Sequence, residues 1–131
     1  MLLGGKKSNT LYQTGIIAAD IQNIYKIDQN RALEISAFYF DLEKSIKNVA
    51  NSVKSKGIVI YIVGNRRVKD IQLLTDQFIA EQFEKSGFNH LITYERLLSN
   101  KVMPSKNSPS NKSGITKATM TQEFIVVCEK K

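Results

Sequence analysis

The sequence has 131 residues, of which 42% are hydrophobic and 24% are charged, and this composition is typical of a single globular domain. Its one cysteine excludes an internal disulfide and a cysteine-based zinc site, and no apolar run is long enough to span a membrane. We therefore expect a cytoplasmic protein without a membrane partner, and the formal net charge of +7 favours an anionic one.

Residues 1–30 contain many loop-forming residues, so we expect this segment to be loosely organised. Within it, Ile17, Ile21 and Ile24 recur at helical spacing. This spacing predicts a short helix over residues 16–26.

The strongest helical pattern covers residues 31–56. Apolar side chains recur there every three or four residues, at Ile35, Phe38, Leu42, Ile46, Val49 and Val53. Polar residues lie between them, as in an amphipathic helix that packs by one face. Gly57 follows as the expected C-terminal cap.

Residues 58–63 are continuously apolar and mostly β-branched. Such a run predicts a strand that is buried on both faces, as in a parallel sheet. Gly64 and Asn65 follow at the carboxyl end of this strand, where α/β sheets commonly bind ligands. A plain strand-ending turn explains the pair at least as well. Arg66 and Arg67 could contact phosphate or water, and of these two we favour water.

A second helix is expected after the polar turn that follows these arginines. Thr75 is the expected N-terminal cap, and the helix is predicted to end at Gly87. Phe78, Ile79 and Phe83 share one face of it, which should pack against the core.

Two further strands are predicted over residues 90–98 and 123–128. The alternation of helices and strands favours parallel pairing of the first two strands, whereas the last strand follows without a helix and can return antiparallel. The predicted fold class is α/β, in the order helix, strand, helix, strand, loop, strand, with residues 1–131 as one domain. His90 has no clustered acid and Cys128 lies in an apolar strand, so we expect both to be structural.

A long loop over residues 99–121 separates the last two strands and contains both prolines. Between Arg96 and Gln122 the chain has no acidic residue but five cations, which are Arg96, Lys101, Lys106, Lys112 and Lys117. The pattern predicts a basic, flexible loop that either binds nucleic-acid phosphates or is merely solvated. Arg96 lies within a strand and can pair with Glu95 or Glu123 or face a nucleic acid.

Several segments together resemble the C-terminal half of bacterial site-specific DNA methyltransferases that modify an exocyclic amino group. They are Tyr39-Phe40-Asp41, Gly57–Asn65, Phe78-Ile79-Ala80-Glu81, Ser86-Gly87-Phe88, Arg96 with Asn100-Lys101-Val102-Met103-Pro104, Asn107-Ser108-Pro109, and Met120–Val127. The resemblance implies a partial Rossmann-like sheet whose last strand inserts antiparallel between the other two. It also implies DNA as partner and a DNA-facing loop, with these candidate contacts: Arg96, Asn100, Lys101, Lys106, Lys112 and Lys117.

The segments that hold the cofactor and perform the chemistry in this family are not found in the sequence. Family members use a glycine-rich turn for S-adenosylmethionine and a Pro-Pro loop for the flipped base, and this chain has no Pro-Pro pair. Leu3-Gly4-Gly5 is similar to the segment that follows the catalytic loop. The resemblance therefore implies a fragment or subunit of a restriction-modification type enzyme that methylates adenine-N6 or cytosine-N4. We assign it no catalytic, cofactor-binding or metal-binding residue.

Two consequences follow for partners and for alternatives. S-adenosylmethionine is expected in the complete enzyme but not on this chain alone. The exposed edge of strand 58–63 should be covered by the N-terminal segment, by a second copy or by the missing N-terminal half of the enzyme. The alternatives are a non-catalytic basic module that binds nucleic acid, and a remnant without activity.

Overall fold

The computed structural model describes residues 7–98 and 121–131. In chain order its elements are helix α1 (Ala18–Ile27), helix α2 (Gln29–Ser52), strand β1 (Ile58–Val63), strand β2 (Arg67–Val68), strand β3 (Ile71–Gln72), helix α3 (Thr75–Lys85), strand β4 (Phe88–Leu98) and strand β5 (Thr121–Lys130). The predicted order of the larger elements is confirmed. The short β2–β3 hairpin occupies what the sequence indicated to be a polar turn.

The main sheet has three strands in the order β1-β5-β4. Strand β5 is antiparallel to both neighbours, with Val127 opposite Ile60 on one side and Ile92 on the other. The prediction that the first two strands pair with each other in parallel is wrong, because β5 lies between them and takes the hydrogen bonds of both. The antiparallel insertion agrees with the arrangement that the resemblance implied, and the fold is a mixed α/β domain with a small antiparallel sheet.

One face of the sheet is covered by helices. Val59, Val126 and Cys128 point to this side and are at most 8% exposed. Phe83 of α3 packs between Tyr61 and Phe88, with ring centroids 5.2 and 4.9 Å away. Burial of these apolar side chains is the main stabilising contribution to the domain.

Helix α2 ends earlier than the sequence predicted. Asp28 is its N-cap and accepts a hydrogen bond from the Arg31 backbone N–H at 3.1 Å. The helix stops at Ser52, and Lys56 rather than Gly57 takes the left-handed conformation, with φ of 71°. The chain turns here because the backbone of Lys56 and Gly57 already pairs with Lys130, through two hydrogen bonds of 2.9 Å.

The described part of the segment 1–30, residues 7–30, is anchored to the core by a few buried side chains. It contains α1, which corresponds to the predicted short helix, and the fully buried Tyr12. The backbone N–H of Tyr12 donates to Ser36 Oγ at 2.9 Å, and its hydroxyl accepts from Gln82 at 3.2 Å. Residues 7–16, which precede α1, are irregular and have no periodicity, which is why the sequence pattern indicated only loose organisation there.

Within residues 7–98 and 121–131, no helix is long and apolar enough to cross a membrane. The same residues contain no cluster of histidine, cysteine or acidic side chains that could hold a metal ion.

Candidate functional site

The carboxyl ends of β1 and β4 lie at the same edge of the sheet, because both strands run antiparallel to β5. Val63 pairs with Phe124 near this edge, and Leu98 pairs with Thr121. Residues 64–67 leave β1 at the same place. Ligands of α/β sheets commonly bind outside the carboxyl ends of strands, so this edge is a candidate site.

An open cleft of about 500 Å³ lies at this edge. Its lining residues are Gly64, Asn65, Arg66, Arg67, Gln72, Leu97 and Gln122. The structure thus brings both predicted strand-end candidates together with the two arginines that follow them. It also adds three residues that the sequence did not single out, because their proximity depends on the sheet order and on the β2–β3 hairpin.

The side chain of Asn65 is engaged with the start of helix α3. Its Nδ2 donates to the Asp76 carboxylate at 2.8 Å, and its Oδ1 accepts from the Asp76 backbone N–H at 3.2 Å. Asn65 therefore serves as the capping group of α3, whose own N-cap Leu74 offers no side-chain hydrogen bond. The prediction that Thr75 caps this helix is wrong, since the Thr75 hydroxyl instead bonds the buried Tyr39 hydroxyl at 2.6 Å.

Gly64 does not require glycine for steric reasons. A Cβ at this position would lie 3.6 Å from the carbonyl oxygen of Gln122, which is an ordinary contact, and its φ is not in the left-handed region. The geometry of Gly64 and Asn65 fits the strand-ending turn that the sequence also allowed.

The β2–β3 hairpin forms one wall of the cleft. Lys69 and Asp70 form its turn with φ of 52° and 66°, both in the left-handed region. Val68 is 4% exposed, and Lys69 Nζ lies 3.6 Å from Asp28 Oδ2, so the hairpin is fixed to the core and to the start of α2. The backbone N–H of Leu73 further donates to the Arg66 carbonyl at 2.8 Å.

Arg96 forms an ion pair with Glu123, one of the two partners that the sequence suggested. Glu95, the other, accepts a hydrogen bond from Gln122. The remaining predicted DNA contacts, Asn100, Lys101, Lys106, Lys112 and Lys117, lie outside the described residues, as does the predicted loop 99–121 apart from Thr121. Their role stays a prediction.

The second face of the sheet is apolar and uncovered within the described chain. Ile58, Ile60 and Ile62 of β1 are 50%, 61% and 63% exposed, and Ile92 and Tyr94 of β4 are 43% and 54% exposed. Ile125 and Val127 of β5 lie between them in register, so the seven residues form one continuous surface, here called the open sheet face. The prediction that β1 is buried on both faces is wrong, because the described helices cover only one face of the sheet.

Two residues with reactive side chains, His90 and Cys128, were expected to be structural. His90 Nε2 lies 2.7 Å from Thr93 Oγ1, and no acid is paired with it among the described residues. Cys128 is fully buried, and burial, with a smaller contribution from the charge of Glu84, raises the pKa of its thiol to about 11. A neutral, buried thiol is a poor nucleophile, which fits the structural role predicted for it.

Comparison with known proteins gives one informative similarity. The Type II methyltransferase M.MvaI from Kocuria varians is 37% identical to this chain over 135 residues. The match covers 97% of this chain but only 30% of that protein, so the chain spans less than a third of its relative's length. No protein-family model matches the sequence, and no solved structure matches it. The similarity supports a methyltransferase-related role.

Proposed function

We propose that this chain is the C-terminal part of an S-adenosylmethionine-dependent DNA methyltransferase that modifies adenine-N6 or cytosine-N4. It contributes sheet strands and a DNA-facing edge, while the remaining part of the enzyme holds the cofactor and the catalytic loop. The proposal depends on one observation, the similarity that extends over 97% of this chain but over 30% of the methyltransferase.

The open sheet face supports the proposal. Sheets of α/β enzymes are usually covered on both faces, and large contiguous apolar surfaces on single proteins mark binding sites. In a complete methyltransferase, the remaining part of the fold would cover Ile58, Ile60 and Ile62 and pair with the outer edge of β1. That edge has no strand partner among the described residues, and an unpaired apolar edge favours association.

A chimera tests this function directly. The matched region of M.MvaI is replaced by this chain, and transfer of labelled methyl groups from S-adenosylmethionine to duplex DNA is measured. We expect methylation by the chimera, and none by this chain alone or by the host protein without the region. A chimera that is monodisperse and folded by circular dichroism but inactive would contradict the proposal.

Calorimetric titration of the chain alone with S-adenosylmethionine is the complementary test. We expect no binding, since the glycine-rich turn that approaches the cofactor belongs to the other part of the enzyme. Stoichiometric binding would show that this chain has a cofactor site of its own and would overturn the division of roles.

A second candidate is a non-catalytic module that binds nucleic acid. The net charge of +7 and the two arginines of the cleft favour it. It predicts salt-dependent DNA binding by the chain together with an inactive chimera. In both cases the loop cations Lys101, Lys106, Lys112 and Lys117 remain proposed DNA contacts, and their joint substitution by glutamine should weaken binding.

A further inference from the structure

Two of the four arginines of the chain have no acidic partner among residues 7–98 and 121–131. Arg31 pairs with Glu34, and Arg96 pairs with Glu123. The guanidinium of Arg66 has no hydrogen bond or ion pair within that part of the chain, and that of Arg67 donates only to the Asp70 carbonyl at 3.3 Å. Both are exposed and both line the cleft at the strand ends.

Two acids beside the cleft lining are already hydrogen-bonded, and Asp70 on the hairpin contacts Arg67 only through its backbone carbonyl. Asp76 is held by Asn65, and Glu95 accepts from Gln122. Neither carboxylate pairs with Arg66 or Arg67. The hairpin therefore presents two guanidinium groups that form no ion pair with the described residues.

The backbone that carries these arginines is held in place before any ligand binds, mainly by the buried Val68. Consecutive left-handed residues are unfavourable for L-amino acids other than glycine, and they persist where surrounding contacts hold them. Here the buried Val68 and the ion pair between Lys69 and Asp28 hold the hairpin in place. A ligand that binds Arg66 and Arg67 would not need to order the backbone that carries them.

We propose that Arg66 and Arg67 bind phosphate groups of the DNA backbone at the carboxyl edge of the sheet. Guanidinium groups match phosphate oxygens in geometry and charge, and such contacts position a protein on DNA without reading its sequence. The inference deepens the proposed function and rests on it, because it takes DNA as the partner. It reverses the expectation from sequence that these side chains face only water.

The test compares two double variants of the full chain that each remove two positive charges. R66Q/R67Q removes the hairpin arginines, and K54Q/K56Q removes two exposed lysines at the opposite end of β1. Binding to fluorescent duplex DNA is measured by anisotropy at several salt concentrations. We expect R66Q/R67Q to bind several-fold more weakly and to reduce the slope of log affinity against log salt by about 1–2, while K54Q/K56Q changes the slope much less.

A third variant and two controls make the result decisive. R66K/R67K keeps the charge but not the forked geometry, so we expect it to recover the salt slope and only part of the affinity. Equal far-ultraviolet circular dichroism and Tm among the variants exclude unfolding. Binding is also compared in inorganic phosphate and chloride at equal ionic strength, where specific competition by phosphate would support occupation of the site by that group.

Equal slopes for R66Q/R67Q and K54Q/K56Q would overturn the proposal, as would a wild-type chain that does not bind DNA at low salt. Loss of phosphate competition in R66Q/R67Q without any change in its DNA binding would assign the site to free anions instead, which also overturns it. These outcomes are separate from methylation by the chimera. An active chimera together with equal salt slopes would overturn only the proposed phosphate contacts of Arg66 and Arg67. An inactive chimera together with the expected slopes would overturn only the proposed methyltransferase function.

Discussion

Both faces of the three-stranded sheet carry apolar residues, but the two faces have different surroundings. In β1, Val59 is 8% exposed on the helix-covered face, whereas the adjacent Ile60 is 61% exposed on the open sheet face. Successive side chains of a strand point to opposite faces of the sheet. An unbroken apolar run is therefore expected where both faces of the sheet are covered. The difference indicates that the exposed apolar residues of β1, which are Ile58, Ile60 and Ile62, suit contacts that the described helices do not make.

The largest expected effect on stability comes from shortening a side chain on the covered face. Phe83→Ala removes a fully buried ring that contacts Tyr61 and Phe88, and we expect a loss of about 3–5 kcal/mol in the free energy of unfolding. Ile60→Ala on the open sheet face should cost less than about 1 kcal/mol in the isolated chain. Urea unfolding of both variants measures this, and similar losses would show that the open sheet face is buried in solution. If Phe83→Ala does not fold, Ile79→Val gives a milder comparison.

Burial on the covered face should make the free energy of unfolding depend on pH. Burial raises the pKa of the Cys128 thiol from 9.0 to about 11, so the folded protein holds this proton more tightly than the unfolded one. The resulting stability is fully present below pH 9 and is lost as the pH rises towards 11, by on the order of 2 kcal/mol. Urea unfolding at pH 8 and pH 10.5 measures the loss, and Cys128→Ala should reduce it. A loss unchanged in that variant would assign the effect to other groups, such as Tyr12, whose pKa burial raises to about 12.

At the carboxyl edge of the sheet, the capping of α3 by Asn65 can be tested by substitution. Asn65→Ala removes both hydrogen bonds to Asp76 and the capping of α3, and we expect a loss of about 1–2 kcal/mol in unfolding free energy. Gly64→Ala is the matched neighbour and should be close to neutral, because its Cβ would make only an ordinary contact. Equal effects at the two positions in thermal unfolding would contradict the capping role of Asn65.

The smallest effect on stability, and the sharpest on association, is expected on the open sheet face. Ile60→Lys places a charge at a position that is 61% exposed, and Ile27→Lys does so at a position on α1 that is 60% exposed. We expect both to change the unfolding free energy of the isolated chain by less than about 1 kcal/mol. Only Ile60→Lys should abolish methylation by the chimera, because it places the charge in the interface with the rest of the enzyme. Equal activity of both chimeras would mean that the open sheet face is not covered there.

The sequence predicted the elements but not their surroundings. The helices follow from local periodicity and β1 follows from a continuous apolar run, and both patterns are properties of neighbouring residues. The end of α2 was missed because the backbone at Lys56 and Gly57 bonds to Lys130, more than seventy positions away in the chain. The same limit applies to the pairing of β1 with β5, which the residues alone did not indicate and the resemblance did.

The candidate site likewise contains residues that the sequence identified and residues that only the structure revealed. Gly64 and Asn65 were identified by their position after an apolar strand, and Arg66 and Arg67 by their charge. The partners of these residues could not be found from the sequence, because Gln72, Leu97 and Gln122 reach the cleft only through the folded sheet. Asn65 is an instructive case, since its amide caps a helix that begins ten residues later, and local capping patterns pointed to Thr75 instead.

The central position of β5 also has a consequence for the order of folding during synthesis. Strands β1 and β4 leave the ribosome before β5, yet among the described residues each of them pairs only with β5. Helices α1 and α2 can form while translation continues, but the sheet has to wait until residues 121–130 have emerged. During that interval the apolar side chains of β1 lack their strand partner, so the nascent protein depends on rapid synthesis of residues 121–130 or on a chaperone that shields the strand.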